Sequence, residues 1–350
     1  MSIMNLWKKG KSYYHSKVVV KSYPTIHSIE PTNACGMRCK MCPRQHMTRS
    51  IGFMDIELFK KIVSQIKYQK IITLHHFGDP LLHPKMGEMI DIVHKQGLEC
   101  AFSTNPQSLT PANTQMILDA GLDRLHISLD GATKETYEAI RGGSADYGAA
   151  VKSVKAFLKA KLNRGIGASD YAASSSIDDI HPMPSMPAVL PKGPYVIMAI
   201  IKMNETEKEI EEFKRQWTIA GVDEVQVKPF IKWDGTDDKI NAMGKNRKKD
   251  TNYPCWWPWS RLVVLWDGRV VPCCYDYDGQ YVLGDLNHFT IDEIWNGFMI
   301  KQLRASQIDK LPFGMCINCH EKEGSPSSKW FPFNLILKGK FDFKSYFKFN

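Results

Sequence analysis

The apolar positions of the chain follow two spacings in turn. Short runs of mostly apolar residues alternate with longer segments in which apolar residues recur every three or four positions, as in a helix with one buried face. The runs predict strands at residues 25–29, 70–77, 99–103, 124–129, 195–201 and 224–228. The segments between them predict helices at residues 56–66, 84–96, 112–120, 133–140, 147–162 and 205–220. This alternation implies an α/β protein with parallel strands joined by right-handed crossovers.

Polar residues follow several of the predicted strands. In βα barrels the active site lies at the carboxyl ends of the strands, so these residues are candidate site residues. Taken alone, each also has an ordinary interpretation, because polar residues at strand ends cap helices and close turns. The candidates are Gly78, Asp79 and Pro80 after the second strand, Ser103 and Asn105 after the third, Ser128 and Asp130 after the fourth, and Arg141 after the next helix.

Three cysteines follow the first predicted strand with the spacing C-x3-C-x2-C. They are Cys35, Cys39 and Cys42. The last two alone would suit a zinc knuckle or a redox pair. A [4Fe–4S] cluster normally has four thiolate ligands, so a loop with three leaves one iron open to another ligand.

This loop, placed after a strand, resembles the cluster loop of the radical S-adenosylmethionine (SAM) enzymes. The resemblance implies a partial (β/α)6 barrel in which the open iron binds the amino and carboxylate groups of SAM. Reduction by a small electron-donor protein, a flavodoxin or a ferredoxin, then cleaves SAM and yields a 5′-deoxyadenosyl radical. Met41 departs from the family pattern, which often has an aromatic residue there, but methionine is also apolar and polarizable.

The resemblance also implies roles for the strand-end residues. Gly78-Asp79-Pro80 resembles the family's G-G-E-P motif, which accepts hydrogen bonds from the SAM ammonium; Phe77 replaces its first glycine and Asp79 its glutamate. Ser103 and Asn105 belong to the same SAM-binding edge. Ser128 and Arg141 resemble residues that hold the ribose and the carboxylate of SAM, for which a guanidinium is well suited.

A second group of cysteines lies near the C-terminus. Four thiolates can close a zinc or iron–sulfur site completely. The pattern C-x12-G-x4-C followed by a distant C-x2-C resembles the front part of the SPASM extension of radical SAM enzymes. Since no cysteine follows Cys319, it resembles the shortened form with one auxiliary [4Fe–4S] cluster, as in aminocyclitol dehydrogenases of that superfamily. The implied ligands are Cys255, Cys273, Cys316 and Cys319, with Cys274 spare.

Composition adds limits on location and partners. The chain has 350 residues, nine cysteines and a formal net charge of +9. Cysteines without a signal peptide predict a cytoplasmic protein whose cysteines bind metal. The charge permits an anionic partner, and we expect a small-molecule substrate, anionic or sugar-like, and no stable nucleic-acid complex. The aromatic, basic tail could touch a membrane, but packing against the protein is the favoured interpretation.

The predicted organisation has five parts. They are an N-terminal extension (1–24), a radical SAM barrel (25–233), a polar linker (234–254), an auxiliary-cluster domain (255–320) and the tail (321–350). A Ser-, Ala- and Pro-rich insertion at 164–194 interrupts the barrel pattern as a lid or a surface loop.

The implied reaction begins with hydrogen abstraction from a substrate carbon. We expect oxidation of an alcohol to a ketone, on a sugar or an aminocyclitol, with the auxiliary cluster as electron acceptor. A base must then take the hydroxyl proton, and Asp130, Asp276 and Asp278 are candidates.

Three alternatives remain open at this point. Radical epimerisation of a sugar, aminocyclitol or peptide needs a thiol hydrogen donor, for which Cys274 and Cys100 lie outside the ligand sets. Peptide maturation is the second. The third is a non-enzymatic zinc-binding or nucleic-acid-binding scaffold; His75 and His76 could serve it as ligands, although they sit within an apolar run and are expected to be packed or hydrogen-bonded there.

Overall fold

A computed structural model describes residues 3–164, 193–233, 237–244, 254–312, 314–317 and 319. The predicted tail, nearly all of the predicted insertion and much of the predicted linker lie outside these residues. The helices are α1 (Ile3–Tyr14), α2 (Ile56–Val63), α3 (Met86–Lys95), α4 (Pro111–Asp119), α5 (Lys134–Arg141), α6 (Tyr147–Asn163), α7 (Ile210–Trp217), α8 (Asp238–Ala242), α9 (Trp257–Ser260), α10 (Ile291–Trp295) and α11 (Phe298–Ile308). The strands are β1 (Thr25–Ile29), β2 (Ile71–Thr73), β3 (Glu99–Thr104), β4 (Arg124–Ser128), β5 (Tyr195–Lys202), β6 (Glu224–Pro229), β7 (Arg261–Val264), β8 (Arg269–Val271) and β9 (Gly284–Asp285).

The central sheet has five parallel strands in the order β2-β3-β4-β5-β6. Side chains alternate between its two faces, and one face is apolar because it packs against the helices, including α3 and α7. That outer face carries the fully buried side chains Ile72, Cys100, Phe102, Leu125, Ile127, Val196, Met198 and Ile200. The predicted α/β class with parallel strands is confirmed. The opposite, inner face carries the polar residues discussed below.

The first strand belongs to a different sheet. β1 pairs with β7 in the order β1-β7-β8-β9. It still lies beside β2, because the Gln69 side chain bridges the two strands: its Oε1 accepts from the amide of Ile26 at 2.9 Å and its Nε2 donates to the carbonyl of Ile71 at 2.9 Å. β2 is shorter than predicted. Leu74 still donates to the carbonyl of Ala101, and the chain then leaves the sheet toward Gly78.

The segment before β1 packs against the C-terminal part of the chain. The Tyr13 hydroxyl donates to the carbonyl of Pro254 at 2.6 Å, and the Trp259 indole donates to the carbonyl of Lys17 at 2.7 Å. The buried Arg304 guanidinium donates to the carbonyl of Val18 at 2.9 Å. These contacts attach β7, β8 and β9 to the side of the barrel that begins with β1. None of the helices among the described residues has the length and apolar character needed to cross a bilayer.

Candidate active site at the carboxyl ends of the strands

The three-cysteine loop follows β1 and rests on the C-terminus of α5. The amides of Arg38 and Lys40 donate to the carbonyls of Arg141 (3.2 Å) and Ile140 (2.8 Å), so the loop satisfies carbonyl groups that the helix end leaves unpaired. Within the loop, the amide of Cys42 donates to the carbonyl of Cys39 at 3.0 Å. Tertiary contacts therefore set the shape of the loop.

The thiols of this loop differ in exposure. Cys39 is buried, and Cys35 and Cys42 are half-buried. Among the described residues, no three His, Cys, Asp or Glu side chains converge as ligands of a single metal ion. A [4Fe–4S] cluster does not need such convergence, because each thiolate binds a different iron. The donor set, three cysteines on one short loop, fits a cluster better than a zinc ion.

Gly78 lies in close contact with the backbone that leads into the cysteine loop. Its φ of +88° is in the left-handed region, and an added Cβ would lie 2.4 Å from the carbonyl oxygen of Thr32 and 2.7 Å from that of Ala34. The next residue continues the contact, since the amide of Asp79 donates to the same Ala34 carbonyl at 2.7 Å. Only glycine lets the turn after β2 approach the cysteine loop this closely.

We expect Gly78→Ala to lower the free energy of unfolding by roughly 2–5 kcal/mol, because backbone strain and a clash with rigid carbonyls add. The matched control is Gly97→Ala. That glycine also has a positive φ, +69°, but nothing lies within 4 Å of an added Cβ, so only a strain cost of about 1 kcal/mol applies. Urea unfolding of the two variants measures the difference. Equal losses of unfolding free energy in the two variants would show that the contact of Gly78 with the cysteine loop does not contribute to stability.

Asp79, predicted to accept a hydrogen bond from the SAM ammonium, accepts hydrogen bonds from several side chains of the protein. The side chain is 2% exposed. It accepts from the Thr104 hydroxyl at 2.8 Å, the Ser108 hydroxyl at 2.7 Å and the Asn105 side-chain amide. Burial raises its pKa, and these hydrogen bonds act in the opposite direction. Asp79 thus joins the ends of β2 and β3, while Pro80 begins the short 3-10 helix that follows.

Arg141 connects the end of β4 with the cysteine loop. Its Nη2 donates to the carbonyl of Ser128 at 2.6 Å and lies 2.7 Å from Oδ2 of Asp130, while its Nη1 lies 3.6 Å from Sγ of Cys39. Burial alone would lower the pKa of Arg141, but the Asp130 carboxylate raises it above its ordinary value. The Ser128 hydroxyl is 3.2 Å from that of Ser103. The structure thus brings these four predicted residues together beside the loop.

The three carboxylates predicted as bases have structural partners in this conformation. Asp130 also accepts from the amide of Ile201 at 2.8 Å. Asp276 is buried and accepts from the amides of Gln280 and Tyr281. Asp278 accepts from the amide and the hydroxyl of Thr48, each at 2.6 Å, and so ties β8–β9 to the chain after the cysteine loop. Their hydrogen bonds explain their positions without a role in proton transfer.

The second group of cysteines lines one cavity. Cys255, Cys273, Cys316 and Cys319 all contribute to its wall, and Cys274 does not. The Cys274 thiol hydrogen-bonds the thiol of Cys273 and the ring of His27 on β1. Four thiols around one enclosed space fit an iron–sulfur cluster without an open coordination position. The other candidate donor, Cys100, is fully buried on the outer face of β3.

One tryptophan contacts both cysteine sites. The indole Nε1 of Trp233 donates to the carbonyl of Met41, next to Cys42, at 2.8 Å. The same side chain lines the four-cysteine cavity. Its backbone has a φ of +53°, a strained value for a bulky residue, and such strain clusters at functional sites. The sequence offered no signal for this residue.

Sequence prediction also missed the polar inner face of the sheet. His126 on β4 is level with Ser103 on β3, and Lys228 on β6 is level with Ile201 on β5. His75 follows β2. The sequence predicts that His75 and His76 are packed or hydrogen-bonded within an apolar strand, but β2 ends at Thr73, before both of them. Nδ1 of His75 and Nε2 of His76 are buried without a hydrogen-bond partner among the described residues.

Comparison with known protein families agrees with this geometry. The model of the radical SAM superfamily matches residues 29–169, and the model of SPASM, an iron–sulfur cluster-binding domain, matches residues 255–320.

Two curated relatives align over most of the chain. The tungsten-containing aldehyde ferredoxin oxidoreductase cofactor-modifying protein of Pyrococcus furiosus is 24% identical over 273 residues, 70% of this chain and 69% of that protein. The antilisterial bacteriocin subtilosin biosynthesis protein AlbA of Bacillus subtilis is 23% identical over 336 residues, 91% of this chain and 71% of that protein.

Two solved structures share the fold. BtrN in complex with AdoMet and 2-DOIA superposes with a TM-score of 0.50 and 15% identity, over 86% of this chain and 98% of BtrN. Streptococcus suis SuiB bound to precursor peptide SuiA superposes with a TM-score of 0.57 and 11% identity, over 85% of this chain and 70% of SuiB. At these identities the likeness concerns the fold alone.

Proposed function

Because the chain belongs to the radical SAM superfamily and carries a SPASM iron–sulfur domain, we propose that it oxidises an alcohol carbon of a small polar molecule, a sugar or an aminocyclitol, to a carbonyl. Cys35, Cys39 and Cys42 would hold the cluster that binds SAM, and the four cysteines of the second cavity would hold the auxiliary cluster. Once bound, these groups supply a 5′-deoxyadenosyl radical that takes a hydrogen atom from the substrate, and an acceptor for one further electron.

The observation that carries this proposal is the position of Trp233. Its indole hydrogen-bonds the cysteine loop and lines the four-cysteine cavity, so both cysteine sites border the same aromatic side chain. Phe77 and Tyr275 pack against that indole, with ring centroids 5.2 Å and 6.1 Å away. A substrate on the inner face would lose a hydrogen atom to the radical, one electron to the auxiliary cluster and its hydroxyl proton to a base, for which Asp130 is the proposed acceptor.

The remaining residues of the edge would hold SAM in place. Arg141 is fixed by Asp130 and the carbonyl of Ser128, so its charge stays beside Cys39. The Ser103 and Ser128 hydroxyls, 3.2 Å apart, would bind the ribose. Asp79 and Asn105, held by each other and by Ser108, keep the second and third strand ends at a constant spacing. These roles are proposals that rest on position and hydrogen bonding.

Peptide maturation is the second candidate. Two relatives favour it: AlbA, a bacteriocin biosynthesis protein that aligns with 91% of this chain, and SuiB, whose structure holds a precursor peptide. Crosslinking of a peptide is also an oxidation, so it would use the same two cysteine sites. Epimerisation would instead need a hydrogen atom returned from a thiol, and the contact of Cys274 with His27 places one thiol next to β1.

Iron and acid-labile sulfide content, with EPR spectra of the anaerobically reconstituted and dithionite-reduced protein, test the two-cluster arrangement. We expect about eight irons, as two [4Fe–4S] clusters require, and a spectrum that changes when SAM is added. About four irons would remove the electron acceptor and with it the oxidation. Absence of iron would overturn the proposal.

Product analysis then separates the candidate reactions. Incubation with candidate sugars or aminocyclitols in deuterated buffer should give 5′-deoxyadenosine and a carbonyl product in equal amounts. Deuterium incorporated from the buffer at an inverted carbon would indicate epimerisation. Turnover of a cysteine-containing peptide in place of sugars would indicate maturation.

A further inference from the structure

The inner face of the sheet carries a group of basic side chains that the proposed chemistry does not use. His126 lies at the middle of β4, Lys228 near the end of β6, and His75 just after β2. The charge of Lys228 lowers the pKa of both rings, and His75 lowers that of His126, which places the three side chains close together. They lie on the opposite face from the apolar helix-packing residues.

In the described part of the chain, each of the three side chains has a polar atom without a hydrogen-bond or ion-pair partner. Nδ1 of His75 and Nδ1 of His126 are buried and have no hydrogen-bond partner in the described part of the chain. Lys228 is half-buried and takes part in no hydrogen bond or ion pair among those residues either. Buried polar groups are nearly always hydrogen-bonded, so two such ring nitrogens on the face that also carries an unpaired lysine point to a missing partner.

The nearby carboxylates are occupied by other cations. Asp130, whose charge acts on Lys228, pairs with Arg141 at 2.7 Å. Glu224, at the start of β6, hydrogen-bonds Tyr195 and interacts with the charges of both Arg124 and Lys228, without an ion pair to Lys228 among the described residues. Lys228 therefore lacks a dedicated counter-charge.

The protonation states follow from burial. Burial lowers the pKa of His75 to about 4 and that of His126 well below its ordinary value, so both rings are neutral at pH 7 and each offers one N–H donor. Burial also lowers the pKa of Lys228. A buried ammonium without a counter-ion is costly, and an anion placed beside it removes that cost. One ammonium with two imidazole donors suits a carboxylate or a phosphate oxygen.

We propose that Lys228, His75 and His126 anchor one anionic group, a carboxylate or a phosphate, of the substrate. The proposal rests on the proposed function, because it assumes that the substrate binds on the inner face. It narrows the substrate class from any sugar-like molecule to one that carries a negative charge. The carboxylate of SAM has the same chemistry, so the test must separate the two sources.

The experiment measures inorganic phosphate binding to the anaerobically reconstituted protein by calorimetry, with and without saturating SAM. We expect saturable binding that persists with SAM present. Lys228→Met should weaken phosphate binding at least tenfold and leave SAM affinity unchanged, whereas Lys228→Arg should retain it. The matched control is Lys202→Met on the neighbouring strand, an exposed lysine paired with Glu207, which should change phosphate affinity less than twofold.

Several outcomes would contradict the proposed anion-binding site. Unaltered phosphate affinity in Lys228→Met, or absence of saturable binding in the wild type, would contradict it. Loss of phosphate binding on SAM addition, with weaker SAM binding in Lys228→Met, would assign the lysine to the SAM carboxylate instead. Thermal unfolding of Lys228→Met should show no loss of stability, since the change removes a half-buried charge that has no ion-pair partner among the described residues. Iron content and SAM cleavage by the wild type test the proposed function separately, so failure of one is distinguishable from failure of the other.

Discussion

Cys35→Ala is expected to abolish reductive SAM cleavage. The variant leaves two thiolates on a loop that needs three to hold a [4Fe–4S] cluster with one open iron. Mutation of a residue that only supports a metal ligand lowers metal affinity or activity by about 10–100-fold. Loss of a ligand itself should therefore reduce 5′-deoxyadenosine formation by more than roughly 100-fold. The measurement is 5′-deoxyadenosine released per protein with dithionite and SAM, by chromatography.

Cys100→Ala is the control for this variant. Cys100 is a fully buried thiol on β3, outside both cysteine groups. Its replacement removes a sulfur without touching either site, so SAM cleavage should stay within about twofold of the wild type, as for a small volume change in a core. If Cys35→Ala retained SAM cleavage while its iron content fell, the three-cysteine loop would not be the SAM-binding site.

Cys316→Ala is expected to abolish substrate oxidation while SAM cleavage continues. The cavity would keep three of its four thiols, and the variant should lose about four irons and all detectable carbonyl product. The three-cysteine loop does not contribute a residue to the described wall of the cavity, and Trp233 contacts both. We therefore expect 5′-deoxyadenosine to form without product. Iron analysis and product analysis on the same sample measure the two effects.

Cys274→Ala is the matched control in the second site. Cys274 is adjacent in sequence to Cys273 but does not line the cavity, so its replacement should leave the iron content unchanged. A loss of about four irons in Cys274→Ala would show that Cys274, and not Cys273, is the ligand of the auxiliary cluster. Full iron content with a loss of turnover would favour Cys274 as a hydrogen donor and hence epimerisation.

The fold class follows directly from spacing along the chain. Strands buried on the outer face by helices must be apolar at alternate positions, and helices on that face must be apolar every three or four positions. Both patterns are local, so they predict β3, β4 and β5 and the helices between them. The extent of β2 depends on tertiary contacts, because the approach of Gly78 to the cysteine loop draws the chain out of the sheet.

The sheet partner of β1 was beyond local inference. β1 and β7 lie more than two hundred residues apart, and the pattern of β1 suits a neighbour on either side. The sequence places the first strand beside the second, and in the structure the Gln69 side chain bridges those two strands in place of a hydrogen-bonded ladder. Which strands pair depends on which strand edges are available in the folded protein. The spacing of apolar residues along the chain carries no information on this.

By itself, the sequence determined the fold class and the two groups of cysteines, because strand–helix periodicity and thiol spacing are properties of short segments. The tertiary structure alone decided which polar groups meet. It paired Asp130 with Arg141, occupied Asp79 with three side chains, placed Trp233 against the carbonyl of Met41 and left Lys228 without a counter-ion among the described residues. The physical reason is that a hydrogen bond or an ion pair depends on which residues folding brings within a few ångströms, and burial sets its strength.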